Sequence, residues 1–345
     1  MSKIVVVGSY AAGLTIQAAR FPSPGETVEG FGFSAFHGGK GSNQAVECAR
    51  QDADTSLIAC IGDDLYGQRA MELFHAESVQ TDMIRIAKGH PTGVGLITMD
   101  ATGENEIVID FGANNLLKPA DIALWEEPIS QADALLMQME IPVETIHAAL
   151  ETAKKHHVLS ILNPAPYRPL SPQDIALASI VTPNETEAKL MLGMSAAEPA
   201  DPQTLGLALD KAGVHRCAIT LGKRGVLVME NGRWELVDAF PVQAVDTTGA
   251  GDTFTAALAT AVSEGATLKE AARFAAAAAA LSVTRYGVIE AMPTRKETLD
   301  FLSKQRKSII KIPAHHTPSD IPIWHIRRRI FSFCDRIFSV IFHSG

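Results

Sequence analysis

The sequence predicts a three-layer α/β/α domain with a mostly parallel central sheet and a small β lid. Short apolar runs such as Ile4–Val7 and Ala134–Met137 are typical of strands that are buried on both faces of a parallel sheet. Segments with helical spacing alternate with these runs, for example over 143–156 and 202–212, as in α/β proteins. Between 93 and 111 apolar and polar residues alternate around a polar turn, which predicts an antiparallel hairpin apart from the main sheet.

The remaining elements follow from the same patterns along the chain. Further strands are predicted at Leu57–Ile61, Val158–Leu162, Ile180–Val181 and Ala218–Leu221, and a late hairpin at Gly225–Met229 and Trp234–Val237. Further helices are predicted at about 42–50, 67–76, 251–263 and 268–284, the last two rich in alanine. Because parallel sheets bind ligands at the carboxyl ends of their strands, we expect the functional residues in the strand-to-helix turns.

Composition limits the classes of function. The 345 residues carry a formal net charge of −9, which argues against a nucleic-acid-binding surface but not against phosphate held by backbone amides and Mg²⁺. No stretch reaches the roughly 18 consecutive apolar residues of a membrane span, and no secretory signal precedes the first strand, so we expect a cytoplasmic protein. The four scattered cysteines are expected to be reduced and buried: Cys48, Cys60, Cys217 and Cys334.

The chain is expected to form one main domain over 1–303, with a lid from about 9–36 and 90–113, followed by an extension over 304–345. The extension is basic and aromatic, and it contains the run Arg327–Arg329. One interpretation is an amphipathic helix that contacts a membrane or a partner. The other, which we favour, is a poorly ordered extension without a role in catalysis.

The strongest local signal is the segment Asp246–Phe254, DTTGAGDTF, which leads directly into an apolar helix. The small residues Gly249, Ala250 and Gly251 let backbone amides converge on an anion, and the N-terminus of the helix adds its positive dipole end. Asp252 would then lie beside that anion, where a carboxylate can accept a proton from an attacking hydroxyl. The alternative is a helix cap and a tight turn, since Asp is a good cap.

Three further turns carry glycine-rich or polar sequences. Residues 38–44, GGKGSNQ, could contact a polyol through Lys40 and Asn43, although a simple turn would also explain the glycines. Residues 182–187, TPNETE, could bind hydrated Mg²⁺, or they could simply begin a helix rich in capping residues. Residues 220–225, TLGKRG, form a strand end that is plausible for nucleotide contact.

Together these motifs resemble those of the ribokinase-like carbohydrate kinases, also called the phosphofructokinase-B family. The matching segments cover about 3–303 in the family's order: GGKGSNQA at 38–45, Glu140 after LLMQM, NPAP at 163–166, TPNETE at 182–187, TLGKRG at 220–225 and AVDTTGAGDTF at 244–254. The resemblance implies the ribokinase-like fold. It also implies an ATP-dependent kinase that phosphorylates the primary hydroxyl of a small sugar.

The resemblance implies a role for each matching residue. Asp252 matches the catalytic base, and the anion hole is formed at Gly249, Ala250 and Gly251. Sugar-binding positions match Gly39, Lys40, Asn43 and Glu140, with Gly13 in the same site. ATP-binding positions match Asn184, Thr220, Leu221, Gly222, Lys223, Arg224 and Gly225, with Gly251 shared. Metal positions match Glu187 for Mg²⁺ through water, and Asp246, Thr248, Ser282, Arg285 and Gly287 for K⁺ as an activator.

Four positions depart from the family pattern. Ala11 and Gly13 stand where an Asn and an Asp would hold the secondary hydroxyls of the sugar, which can contribute roughly a few kcal/mol of discrimination. Three alternatives follow: a different polyol or deoxy sugar, a bulkier acceptor, or ribose bound weakly. Ala276 replaces a polar residue near the adenine, and Ala291 replaces a hydroxyl-bearing K⁺ ligand, and neither position takes part in the transfer chemistry.

Two other functions stay open from the residues. One is a kinase of a nucleoside or another hydroxymethyl compound with the same chemistry. The second is a sugar- or nucleotide-binding regulator without turnover, although a pure binder would have no need of a base beside the phosphate. A homodimer formed through the lid is an expectation that rests on the family alone.

Overall fold

The computed structural model describes residues 1–310, and the predicted extension beyond them, 311–345, lies outside the described residues. The strands are β1 (Lys3–Val7), β2 (Ala11–Ala18), β3 (Gly30–Gly38), β4 (Asp54–Gly62), β5 (Ile84–Ala87), β6 (Gly93–Met99), β7 (Asn105–Asp110), β8 (Ala134–Met137), β9 (Leu159–Leu162), β10 (Ile180–Val181), β11 (Arg216–Thr220), β12 (Val226–Glu230) and β13 (Arg233–Val237). The helices are α1 (Lys40–Arg50), α2 (Leu65–Ala76), α3 (Pro119–Leu124), α4 (Glu126–Ser130), α5 (Val143–Lys155), α6 (Pro172–Ile175), α7 (Glu185–Met191), α8 (Pro202–Lys211), α9 (Ala250–Ser263), α10 (Leu268–Ser282) and α11 (Arg295–Ile310).

Nine strands form the central sheet in the order β13-β12-β11-β10-β9-β8-β1-β4-β5. Pairing is parallel from β5 to β11, and β12 and β13 add an antiparallel hairpin at one edge. At the centre Val6 of β1 lies between Leu57 and Leu136 of the neighbouring strands. This arrangement confirms the predicted fold class, and it brings the carboxyl ends of seven parallel strands to one edge.

Helices cover both faces of this sheet. Val5 and Val7 of β1 belong to a buried cluster that also contains Ile146 and Leu150 of α5. Because successive strand residues point to opposite faces, Val6 faces the other layer, where α1 and α9 contact β1. The alanine-rich α9 and α10 also pack against each other, which their small side chains allow.

The lid is a separate four-stranded sheet in the order β3-β2-β6-β7. Its β6–β7 hairpin is the antiparallel pair predicted between 93 and 111, and β2 pairs in parallel with β6 and antiparallel with β3. A register shift interrupts the β2–β3 pair between Thr15 and Gln17. The lid therefore consists of the predicted hairpin and two further strands, β2 and β3, whose bounds were not predicted from the sequence.

Several boundaries differ from the predictions. Helix α1 begins at Lys40, two residues before the predicted start, because Gly39 takes a φ of 92° and caps the helix there. A Cβ on Gly39 would lie 2.8 Å from backbone atoms of Tyr10 and Ala11, so this close approach requires glycine. Strand β5 and the short helices α3, α4 and α6 were not predicted. Helix α11 continues to Ile310, past the predicted end of the main domain.

Two further expectations concern the burial of the cysteines and the presence of a membrane-spanning helix. Cys48, Cys60 and Cys217 are free thiols and buried, whereas Cys334 lies outside the described residues. Across residues 1–310, none of the helices combines the length and apolar character that crossing a bilayer requires.

Candidate active site

The N-terminus of α9 lies at the carboxyl edge of the sheet and presents backbone N–H groups. Gly249 caps the helix with a φ of 76°, and a Cβ there would come within 2.6 Å of the Val288 side chain. Within the described residues no side chain caps α9, and the N–H groups of Gly251 and Asp252 remain available to an anion, whereas that of Ala250 donates to the Thr247 carbonyl at 3.3 Å. Gly251 in that turn has open space where a Cβ would lie.

Asp252, in the first turn of α9, is only 4% exposed. Its Oδ2 accepts a hydrogen bond from Asn43 Nδ2 at 2.9 Å, and its Oδ1 accepts one from Gln44 Nε2 at 2.9 Å. Lys40 Nζ lies 4.0 Å from Oδ1. Each carboxylate oxygen therefore keeps acceptor capacity beyond its amide partner. The charge of Asp252, with smaller contributions from Glu140 and Glu187, raises the pKa of Lys40.

Glu140 connects several of the residues that are predicted to bind the sugar. Its Oε2 accepts hydrogen bonds from Ser9 Oγ at 2.6 Å and from the backbone N–H of Lys40 at 2.8 Å. These bonds join the turn after β1, the start of α1 and the turn after β8. Asn43 lies one turn further along α1, and its buried Oδ1 has no hydrogen-bond partner among the described residues. Ser9 was not predicted from the sequence.

Position 13 has no vacant space beside it. Gly13 lies opposite Phe36 in the β2–β3 pair, and a Cβ on Gly13 would come within 2.2 Å of the Phe36 ring. The aromatic ring thus occupies the volume into which a larger side chain at position 13 would project. Of the three alternatives for the acceptor, the one that relied on vacated space loses its support.

Three amide side chains that had no predicted role lie behind Asp252. Gln44, besides bonding Asp252, donates to Asn163 Oδ1 at 3.1 Å and accepts from Gln138 Nε2 at 2.6 Å. Asn163 in turn donates to the carbonyl of Thr182 at 2.9 Å. All three amides are buried. A polar residue directly after a fully apolar strand, as Gln138 is, was the signal that could have drawn attention to this network.

A polar cavity of about 490 Å³ opens in front of Asp252. It is lined by Lys40, Asn163, Ala165, Thr182, Asn184, Glu185, Thr186, Glu187, Thr220, Leu221, Gly222, Gly249, Gly251, Asp252 and Thr255. Asn184 and Glu187 form a reciprocal cap of α7, in which Asn184 donates from N to Glu187 Oε2 at 2.8 Å and from Nδ2 to Oε1 at 2.9 Å. Burial raises the pKa of Glu187, although these bonds and Lys40 oppose the effect.

A second, mostly apolar cavity of about 560 Å³ adjoins the first and shares Thr220, Gly222 and Gly251 with it. Its other lining residues are Lys223, Gly225, Val226, Ala239, Phe240, Pro241, Val242, Ala244, Thr247, Ala250, Phe254, Ala276, Ala279, Ala280 and Val283. The Phe240 ring is held by Arg273, whose guanidinium lies 5.2 Å from its centroid.

Most of the predicted ATP-binding residues therefore lie at the two cavities, and Arg224 is the exception. Arg224 lines neither cavity, and its guanidinium forms an ion pair with Glu185.

The predicted K⁺ residues cluster beside the start of α9. Asp246 Oδ1 accepts from the backbone and hydroxyl of Thr248 at 2.9 and 2.7 Å, and Oδ2 accepts from the N–H of Gly287 at 3.2 Å. Partial burial raises the pKa of Asp246, but these hydrogen bonds outweigh it and lower the pKa below its ordinary value. Ser282 donates to the Ala279 carbonyl, and Arg285 pairs with Glu297, so neither side chain is directed at Asp246.

The chain belongs to the pfkB family of carbohydrate kinases, because the family model described as pfkB family carbohydrate kinase matches residues 1–295. It is 40% identical over 299 residues to the ribokinase of Haemophilus influenzae, covering 87% of this chain and 98% of that protein. It is 31% identical over 301 residues to the deoxyribokinase of Salmonella typhi, with 87% and 98% covered. The structure of Arabidopsis thaliana ribokinase complexed with ribose and ATP matches with a TM-score of 0.81 and 33% identity, over 87% of this chain and 98% of that one.

These comparisons confirm the predicted family, fold class and enzyme class.

Proposed function

We propose that this protein transfers the γ-phosphate of ATP to the primary hydroxyl of ribose or of a closely related sugar such as 2-deoxyribose. The observation that carries the proposal is the position of Asp252. Its buried carboxylate lies at the N-terminus of α9, next to Lys40 and Asn43 on one side and the polar cavity on the other. A proton acceptor and a set of anion-binding N–H groups therefore meet at one point.

The proposed step needs only positioning and charge stabilisation. Asp252 accepts the proton of the sugar hydroxyl as the oxygen attacks the γ-phosphorus. The N–H group of Gly251, in the first turn of α9, and the ammonium of Lys40 stabilise the negative charge on the transferred group. Water is kept from the carboxylate because Asp252 is almost completely buried. Asn43 and Glu140 orient the sugar through its other hydroxyls.

The two cavities support a binding mode for ATP. The apolar cavity suits the nucleobase, with Phe240 and Val283 among its walls, and the shared residues Thr220, Gly222 and Gly251 lie where the phosphates would cross into the polar cavity. Lys223, at the same junction, adds a positive charge near them.

Mg²⁺ and K⁺ fit this site in different ways. Glu187 is a fixed carboxylate in the polar cavity, so it could hold Mg²⁺ through water, and the ion when bound would neutralise phosphate charge. Within residues 1–310 no cluster of three or more His, Cys, Asp or Glu forms a metal cage, in keeping with an ion held mainly by water and phosphates. K⁺ would be held by Asp246 and neighbouring backbone carbonyls, since that carboxylate is already fixed by Thr248 and Gly287.

The identity of the acceptor sugar is argued from the residues at the start of β2. The segment Ala11–Gly13 offers no polar side chain, and Phe36 closes the space beside Gly13. Both features favour a sugar that needs fewer hydrogen bonds to its secondary hydroxyls, such as 2-deoxyribose. They disfavour a bulkier nucleoside. The deoxyribokinase among the relatives is consistent with this preference.

A substrate panel tests the proposal. The purified chain is incubated with ATP and Mg²⁺ and with ribose, 2-deoxyribose, hexoses or nucleosides, with and without K⁺, and ADP release is measured. We expect turnover with one or both pentoses and little with nucleosides. ADP release with none of the sugars, together with calorimetric binding of a sugar, would instead support a regulator without turnover.

We also propose that the protein forms a homodimer through the lid. It would act in the cytoplasm, where ATP is available. The lid carries large apolar side chains on its exposed surface: Phe31, Phe33, Leu96, Ile107, Val108 and Ile109. Burial of such side chains against the lid of a second copy would remove them from water. Sedimentation equilibrium should give twice the chain mass, and Val108→Asp should shift the equilibrium towards the monomer. A monomeric wild-type protein at micromolar concentration would rule this arrangement out.

A further inference from the structure

One oxygen of the Asp252 carboxylate is held by an amide side chain that the sequence motifs leave without a role. Gln44 is fully buried on α1, and its Nε2 donates to Oδ1 at 2.9 Å. We propose that Gln44 is a positioning residue for Asp252, and that Asn163 and Gln138 fix its orientation. The inference rests on the proposed role of Asp252 as the catalytic base and adds the reason why that carboxylate points into the cleft.

The direction of the hydrogen-bond chain is set by a backbone group. The Thr182 carbonyl can only accept, so Asn163 must turn its Nδ2 towards it, at 2.9 Å. Asn163 Oδ1 then faces Gln44 and accepts from Nε2 at 3.1 Å. The second hydrogen of the same Nε2 is thereby directed at Asp252.

Gln138 holds the other end of the Gln44 amide. Its Nε2 donates to Gln44 Oε1 at 2.6 Å, a short bond within the buried network. If the Gln44 amide rotated by half a turn, its Oε1 would face the Asp252 carboxylate and its Nε2 would face the donor of Gln138. Gln138 could turn with it, because Gln138 Oε1 has no hydrogen-bond partner among the described residues. The Gln44 Oε1 would nevertheless face two acceptors, Asp252 Oδ1 and Asn163 Oδ1, so the Gln44 amide keeps one orientation.

The arrangement has a consequence for the base. Asn43 and Gln44 each donate to a different oxygen of Asp252, which prevents rotation of the carboxylate and leaves acceptor capacity on the cleft side. Asn43 lies at the predicted sugar site, whereas Gln44 is fully enclosed by the protein.

The test compares Gln44→Met with Gln51→Met. Both glutamines are fully buried on α1, but Gln51 bonds Glu47, the Pro293 carbonyl and Thr298 instead of Asp252. For Gln44→Met we expect kcat to fall about 10- to 100-fold with little change in the KM for ATP. Gln51→Met should lower the melting temperature without lowering kcat.

A double-mutant cycle separates positioning from general packing. Gln138→Leu should lower kcat several-fold, and because Gln138 acts through Gln44, the double variant should be no slower than Gln44→Met alone. Additive losses, or a kcat for Gln44→Met equal to that of Gln51→Met, would overturn the inference. Should Gln44→Met fail to fold, Gln138→Leu decides, since an unchanged kcat there is equally contradictory.

The outcome is distinguishable from failure of the proposed function. If Asp252→Asn retains full turnover, the role of Asp252 itself is wrong. If Asp252→Asn is inactive while Gln44→Met behaves like Gln51→Met, only the positioning role of Gln44 is refuted.

Discussion

The two ends of the substrate cleft are built in different ways. At the transfer end Asp252 is buried and bonded to Asn43 and Gln44, and it extends from a helix that packs against the central sheet. At the acceptor end, in the lid, Ala11–Gly13 carries no polar side chain and the Phe36 ring fills the adjoining space. If the proposed roles hold, the transfer chemistry is fixed by the core of the fold, whereas the choice of acceptor depends on lid side chains that can change independently.

The largest effect is expected at the transfer end. Asp252→Asn keeps the shape of the side chain but removes the proton acceptor, so kcat should fall about 10²- to 10⁴-fold while sugar binding changes little. Steady-state kinetics and calorimetry of sugar binding measure the two quantities. As a control, Asp174→Asn alters a carboxylate that bonds His147 and Ser171 and should leave kcat unchanged. Retention of turnover in Asp252→Asn would remove this residue from the mechanism.

The two glycines of the predicted anion hole are expected to have different roles, Gly249 in stability and Gly251 in binding ATP. Gly249→Ala forces a Cβ to within 2.6 Å of Val288 at a φ of 76°, so we expect it to lower the free energy of unfolding by about 1–3 kcal/mol and to reduce kcat. Gly251→Ala meets no protein atom within 4 Å, so its methyl group would enter the cavity. That variant should keep its stability and raise the KM for ATP. Equal melting temperatures for both variants would contradict this division.

At the acceptor end the effect should be smaller and confined to selectivity. Gly13→Asp alone places its Cβ against the Phe36 ring and should impair folding or activity. Gly13→Asp combined with Phe36→Ala makes room for the carboxylate and should raise the ratio of kcat/KM for ribose over 2-deoxyribose about tenfold or more. Phe36→Ala alone is the control and should not raise that ratio. An unchanged ratio in the double variant would mean that position 13 does not contact the sugar.

A residue remote from Asp252 should change stability alone. Glu47 is fully buried, with Gln51 on Oε1 and no partner on Oε2 among the described residues, and burial raises its pKa well above the ordinary value. The folded state therefore binds a proton that the unfolded state releases, so stability falls as the pH rises above about 4.5 towards the folded pKa. Glu47→Gln should remove this loss and add about 1–3 kcal/mol to the free energy of unfolding near pH 8, and almost nothing near pH 4.

Denaturant titrations of both proteins across this pH range measure that difference. Parallel stability curves for wild type and Glu47→Gln would show that Glu47 does not titrate in the folded state. Kinetic constants should be the same in both.

The site around Asp252 could be predicted from the sequence because its glycines and carboxylate lie in one short segment. Asp246–Phe254 carries the glycines and Asp252 within nine positions, and a turn before an apolar helix predicts an anion site without knowledge of distant contacts. The central strands could also be predicted, because strands buried on both faces are uniformly apolar.

The features that were missed depend on pairs far apart in the chain. Gln44 and Gln138 are separated by 94 positions, and nothing local marks them as partners. Phe36 fills the space beside Gly13 only because of the particular β2–β3 register, which includes a shift between Thr15 and Gln17. Arg224, in a motif that suggested nucleotide contact, pairs with Glu185 instead, because an exposed guanidinium takes the nearest carboxylate.

The most direct test of the account is the position of the phosphate in the product. Phosphorus–proton correlation spectroscopy on the product of ribose or 2-deoxyribose should connect the phosphate to the two hydrogens of the primary carbon, and the 5-deoxy analogue should bind without giving ADP. A phosphate on the anomeric or a secondary carbon, or steady turnover of the 5-deoxy analogue, would contradict proton abstraction from the primary hydroxyl by Asp252.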